Sequence, residues 1–184
     1  MKSVIAGIVA ALLLVLVGLP VAQAEVALRP VPGLEAQRYM GQWYEIARFP
    51  NRFQKKCAAN VSAHYAALPE GRLRVVNKCR LDDGSYTVST GEARPADPAG
   101  PSSVLQVRFA PQWLAWLPMV WGDYWVIALD KDYRYSVVGT PDRSYLWILS
   151  RTPTLAPEVY EHLRVQAAAQ GFDVGLLQKT VQEQ

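Results

Sequence analysis

Between residues 43 and 151 the chain is a succession of short runs in which apolar and polar side chains alternate, each closed by a turn signal. A period of two places successive side chains on opposite faces of an extended strand, so each run reads as a strand with one face available to a core. The runs cover 43–49, 61–68, 72–80, 85–94, 104–110, 124–130, 135–139 and 145–151. Pro50-Asn51, Pro69-Glu70-Gly71 and Asp82-Asp83-Gly84 punctuate the first four, and a Pro/Gly stretch over 95–101 precedes the fifth. Eight sequential strands joined mostly by short turns predict an antiparallel up-and-down sheet. Closing that sheet into a barrel removes the exposed edges it would otherwise have to protect. The last section differs in period. Pro157 suits the first turn of a helix running to about Gln170, Gly171 is a natural stop, and Val159, Leu163 and Ala167 form an apolar stripe. Strands six and eight are apolar on both faces, as expected if this helix covers them from outside. The reading is an all-β fold: an eight-stranded antiparallel up-and-down β-barrel with one C-terminal α-helix packed outside.

Composition narrows the class. The chain has 184 residues, 51% hydrophobic and 19% charged, with a net charge of +3 and its acids and bases intermixed. That excludes a disordered chain, a fibre and a nucleic-acid binder driven by a basic patch, and leaves one domain. Two Cys and two His do not make a structural zinc site of the usual spacing, so no metal or cofactor is expected. Lys2 followed by an uncharged run over 3–23, a break at Pro20 and Ala22-Gln23-Ala24 reads as a secretory signal peptide over 1–24, cleaved after Ala24. The alternative is an uncleaved membrane anchor. Residues 25–184 are then a single exported domain, soluble in the periplasm. No cysteine precedes Cys57, so attachment through a lipoprotein-type signal is not expected. In an oxidising compartment Cys57 and Cys79 pair by default. The alternative keeps one thiol reduced as a nucleophile beside a base such as His64.

Three elements carry a family resemblance. Gly41-Gln42-Trp43-Tyr44 resembles the Gly-x-Trp element that opens the first strand of lipocalins; Gly122-Asp123-Tyr124 through Asp130 and Tyr133 resembles their second shared element. Arg151, closing Tyr145-Leu146-Trp147-Ile148-Leu149-Ser150, resembles the third. The longer strings over 43–49 and 146–153 are similar to the branch containing the bacterial outer-membrane lipocalins and apolipoprotein D. In an up-and-down barrel the start of strand one, the turn after strand six and the end of strand eight meet at one end. The resemblance implies that Arg151 lies across Trp43 there, with Gly41, Asp130 and Tyr133 as structural neighbours and no catalytic residue among them. It also implies carriage or storage of a small hydrophobic ligand, a fatty acid or lysophospholipid, in the bacterial envelope during membrane maintenance or stress.

Strand parity then nominates a lining. Phe49, Tyr65, Val75, Asn77, Leu105, Val107, Phe109, Tyr124, Val126 and Trp147 are the candidate ligand-facing residues, with Glu45, Ala47 and Ala128 on the same parity. Such a lining, mostly apolar with a few hydroxyl and amide groups, suits an acyl chain, whereas Tyr65 and Asn77 also suit a core with satisfied polar groups. Glu45 on that face needs a partner, a raised pKa or a twist outward. Arg48 and Arg74 have the opposite parity and read as solvated. At the open mouth, the 111–122 loop crowds Trp113, Leu114, Trp116, Leu117 and Trp121 together. It reads either as a cover folded over the mouth or as a peripheral contact with a membrane. No Gly-x-Ser-x-Gly elbow, His-Glu-x-x-His or Cys-x-x-Cys occurs, and His64 and His162 read as surface residues. A lipid carrier therefore leads. A carrier of a tetrapyrrole or other pigment and a lipid-modifying enzyme using Cys57 or Cys79 with a His remain as alternatives, and monomer and homodimer are both open.

Overall fold

The computed structural model describes residues 27–183. The secretory segment expected over residues 1–24 lies outside the described residues. A short helix α1 (Ala36–Tyr39) leads into β1 (Gly41–Arg48), followed by β2 (Ala59–Ala67), β3 (Leu73–Arg80), β4 (Tyr86–Pro95) and β5 (Val104–Arg108). β6 (Gly122–Leu129), β7 (Tyr135–Gly139) and β8 (Leu146–Ser150) complete the meander, and α2 (Pro157–Ala169) and a two-residue β9 (Gln178–Lys179) end it. Every strand from β1 to β8 pairs antiparallel with the next, and β8 returns to β1 through Tyr44↔Ser150 to Arg48↔Trp147. The barrel is closed.

Two elements escape the period-two reading. α1 is one turn long, and β9 offers too few residues for any periodicity. β9 nevertheless has a structural place. β1 pairs with β2 only over Gly41 to Tyr44, and beyond that β9 takes up the free side of Ala47 and Arg48. Gln182 then spans the parting strands, donating from Nε2 to the carbonyls of Glu45 and Val61 at 2.8 Å each.

The apolar residues fall into two cores. The inner one fills the closed half of the barrel with Tyr39, Trp43, Tyr65, Leu73, Val75, Ala93, Leu105, Val126, Val138 and Leu149. The outer one lies between the wall and α2: Ala47, Phe49, Ile127, Val137, Leu146 and Ile148 meet Leu163, Ala167 and Phe172. Strands that are apolar on both faces are thus those with a core on each side. Phe172 fits because position 139 has no side chain; a Cβ there would lie 2.5 Å from the Phe172 ring.

Two bulges correct the parity reading. The β1–β8 register shifts between Glu45 and Ala47, and the β6–β7 register shifts between Val126 and Ala128. One extra residue in a strand reverses the facing of everything after it. Ile46 and Ala47 therefore both turn to the outer core, as do Ile127 and Ala128, and Phe49 follows Ala47 outward. Phe49 and Ala128 do not line the barrel.

Cys57, in the loop after β1, is bonded to Cys79 at the end of β3, with Cα atoms 5.6 Å apart. In the chain-entropy description a loop of this length contributes about 3 kcal/mol of stability. Neither sulfur is a free thiol, so thiol-based lipid chemistry has no nucleophile in this structure.

Candidate functional site

The closed end is built around Arg151. Its guanidinium carbon lies 3.9 Å from the centre of the Trp43 ring. Nε, Nη1 and Nη2 donate to the carbonyls of Tyr133, Gln42 and Arg38 at 3.2, 2.8 and 2.7 Å. Gly41 has φ +89°, a left-handed conformation that glycine adopts freely, and a Cβ there would come 3.6 Å from Nη1. Trp43 is fully buried and donates its indole N–H to the Tyr39 carbonyl at 2.8 Å. Tyr133 also has a left-handed backbone, φ 59°, and its side chain makes two contacts. Its hydroxyl accepts the Glu35 amide at 2.9 Å, and Arg38 lies 4.2 Å over its ring. Asp130 anchors the same turn, accepting from Arg134 Nε at 2.8 Å and Nη2 at 3.2 Å. That guanidinium holds the Asp130 carboxyl at about 2, below the usual carboxylate range. Nothing here is arranged around a reacting atom; the end is a seal.

Above the seal runs a chain of hydroxyls. Tyr65 and Tyr124 are 2.8 Å apart through their oxygens, Tyr124 and Tyr39 3.0 Å, and Tyr39 and Ser136 3.4 Å. Ser136 Oγ donates to the Ala128 carbonyl at 3.3 Å. Burial raises all three tyrosines above their ordinary pKa and keeps them neutral. Tyr39 and Ser136 are absent from the sequence-based nomination. Tyr39 precedes the first strand, and Ser136 sits in a run too short to show which face it takes.

Toward the mouth a second polar group is assembled from distant pieces. Glu45 is only 3% exposed, and its Oε1 accepts from Arg48 Nη1 and Thr180 Oγ1, each at 2.5 Å. Its Oε2 accepts Gln54 Nε2 at 2.6 Å, and Gln54 Oε1 accepts the Trp147 indole N–H at 3.0 Å. The Arg48 side chain is 14% exposed rather than solvated, because the bulge lets it fold back three residues onto Glu45. Arg74 is exposed, as parity predicts. Gln54 lies in a loop and Thr180 lies 135 residues from Glu45, so no local pattern marks either as its partner.

Of the other nominated residues, Tyr65, Val75, Leu105 and Val126 belong to the inner core, with Val107, Tyr124 and Trp147 packed against it. Asn77 is half-buried, opposite Ala63 and Ser89. Phe109 is 43% exposed, and its ring crosses Gly91 so closely that a Cβ there would lie 2.7 Å away. Phe109 belongs to the rim.

Trp121 turns against the outer wall, with Arg94 3.9 Å over its ring and its indole N–H donated to the Ala115 carbonyl at 2.8 Å. Leu114 and Leu117 are half-buried, whereas Trp113, Trp116 and Met119 are 73%, 76% and 83% exposed.

A closed eight-stranded barrel with a largely apolar interior and one sealed end has a lumen just wide enough for side chains or one small ligand. The lipocalin-like domain family matches residues 34–182. The chain belongs to that family, whose members bind small hydrophobic ligands. It is 44% identical over 153 residues to temperature-induced lipocalin-1 of Arabidopsis thaliana, covering 83% of this chain and 81% of that one. It is 42% identical over 145 residues to the outer membrane lipoprotein Blc of Escherichia coli (strain K12), covering 78% and 77%. Among solved structures, apocrustacyanin C1 superposes with a TM-score of 0.62 at 18% identity, covering 80% of this chain and 79% of the other, a likeness of fold.

Proposed function

We propose that this protein is a non-enzymatic carrier of a single-chain lipid, a fatty acid or lysophospholipid, in the bacterial cell envelope, serving membrane maintenance or stress. The observation that carries the reading is the division of the barrel's interior. Its inner core is apolar, and polar groups gather at the tyrosine chain near the sealed end and at the Glu45–Arg48–Gln54 group toward the mouth. An elongated molecule with one polar head suits that division. The similarity to Blc, named an outer membrane lipoprotein, supports the envelope setting. Among the described residues no helix is long and apolar enough to cross a membrane. The carrier works from the periplasm and touches the outer membrane through the loop that exposes Trp113, Trp116 and Met119, since Trp favours the bilayer interface.

The test is native mass spectrometry of protein purified from a bacterial envelope without detergent, followed by extraction of what it holds. A stoichiometric fatty acid or lysophospholipid is expected. A coloured ligand would overturn this reading in favour of a pigment carrier. An empty barrel whose Trp fluorescence ignores added oleate and lysophospholipid would overturn ligand carriage. For the loop, the Trp113→Ser/Trp116→Ser double variant is expected to lose flotation with anionic vesicles; unchanged flotation would remove the membrane contact.

A further inference from the structure

The two polar groups inside the barrel differ in what they leave unused. In the tyrosine chain every hydroxyl proton is committed. Ser136 donates to the Ala128 carbonyl, so it accepts from Tyr39; Tyr39 then accepts from Tyr124, and Tyr124 from Tyr65. Each hydroxyl has one proton, so the chain keeps only lone pairs, which an anion cannot use.

At the mouth the reverse holds. Arg48 stands directly opposite Trp147 across the β1–β8 ladder, and Trp147 packs against the inner core, so Arg48 faces the lumen. Its Nη1 donates to Glu45 Oε1 at 2.5 Å and to Thr180 Oγ1 at 3.2 Å. Nε and Nη2 have no partner among the described residues, which leaves one edge of the guanidinium fork unused. Both oxygens of Glu45 are already occupied, Oε1 by Arg48 and Thr180 and Oε2 by Gln54. This half of the lumen reaches solvent: Ser89, paired with Asn77 on the face shared by Leu73 and Ala93, is exposed. The loop that carries Gln54 exposes Arg52, Lys55 and Lys56 and holds no acid over 49–58, so the rim beside Arg48 attracts negative charge. Elsewhere at the mouth, Asp83 and Asp142 accept from hydroxyls of their own turns.

We propose that the unused edge of Arg48 receives the anionic head of the carried lipid, a carboxylate or a phosphate. The lipid then enters chain first and its head stays at the mouth. A guanidinium edge meets two oxygens of either group at once. The proposal rests on the carrier reading above and adds to it the charge of the head and the direction in which the lipid lies.

Uncharged counterparts test it. Exported protein stripped of lipid is titrated by calorimetry, below micellar concentrations, with oleate against oleyl alcohol and with oleoyl lysophosphatidylglycerol against monooleoylglycerol. At least one anionic member should bind about tenfold or more tighter than its uncharged partner, as charge-assisted hydrogen bonds allow. The pair that shows the gap tells a carboxylate from a phosphate. Glu45→Gln removes the competing carboxylate and should widen the gap. Glu45→Gln with Arg48→Gln leaves neither charge unpaired and should close it. Equal affinity within both pairs would overturn this proposal and leave lipid carriage standing, as would a gap that neither variant changes. Failure of all four compounds to bind would overturn carriage and this proposal with it.

Discussion

Arg151 stands at 3.9 Å from the centre of the Trp43 ring while its N–H groups reach the carbonyls of Tyr133, Gln42 and Arg38. One side chain thereby ties the segment after β8 to the turn after β6 and to the entrance of β1. Contact with an indole and charge-assisted hydrogen bonds together place the cost of Arg151→Ala at about 3 kcal/mol. Arg151→Lys should recover less than half of that, because an ammonium cannot present the planar fork that meets three carbonyls. Urea denaturation checks both values. Equal stability of the Lys variant and the wild type would show that charge over the ring, not the fork, makes the seal.

This end of the barrel was legible because Trp43, the 122–133 segment and Arg151 each lie in a local pattern, and an up-and-down topology brings them together. The strands and α2 were legible for the same reason: their period is local. The lining was legible only as far as the bulges. Nothing in Glu45-Ile46-Ala47 or Val126-Ile127-Ala128 announces an extra residue, because each triplet is acceptable in either register. Phe49 was misplaced for that reason, and Arg48 was read as solvated because its partner depends on the same local turn. The charge neighbourhood of Glu45 draws on Gln54 in a loop and Thr180 near the other end of the chain, contacts that tertiary structure alone creates.

Asp130 gives the fold an acid limit. Its carboxyl is lowered from 3.8 to about 2, chiefly by the Arg134 hydrogen bond. Between those values the unfolded chain binds the proton and the folded one does not, so the stabilisation is present above 3.8 and is lost as pH falls toward 2. The Arg134 side chain is 64% exposed, and solvent screening reduces the contribution to about 1 kcal/mol. The stability gap between wild type and Asp130→Asn should therefore narrow across that interval. A gap independent of pH would separate Asp130 from the acid transition.

The tyrosine chain sets the alkaline limit. Burial raises Tyr39, Tyr65 and Tyr124, so above the ordinary value of 10 the unfolded chain releases protons that the folded chain retains. Stability should fall with rising pH from that point, and these phenols should ionise only as the protein unfolds. Phenolate absorbance followed alongside circular dichroism checks the coincidence. Tyr124→Phe removes the middle of the chain and should cost about 1–3 kcal/mol, since both Tyr39 and Tyr65 lose a partner. Tyr65→Phe, at the free end of the chain, breaks one hydrogen bond and leaves Tyr124 paired with Tyr39, so it should cost less than Tyr124→Phe.

Glu45 and Arg48 should behave as a unit. Glu45 is buried and Arg48 half-buried, their closest atoms are 2.5 Å apart, and Thr180 bonds to each of them. Glu45→Ala leaves the half-buried Arg48 charge without its carboxylate, at a cost of about 2–3 kcal/mol. It also frees Gln54, which links Glu45 to the Trp147 indole, so the fluorescence of Trp147 should shift with the loss of stability. Arg48→Ala alone strands the carboxylate instead. In the double variant neither charge remains unpaired, and its stability should exceed that of either single variant. A double-mutant cycle by urea denaturation measures the coupling directly. Additive losses would show that each side chain is supported by its other neighbours rather than by the pair.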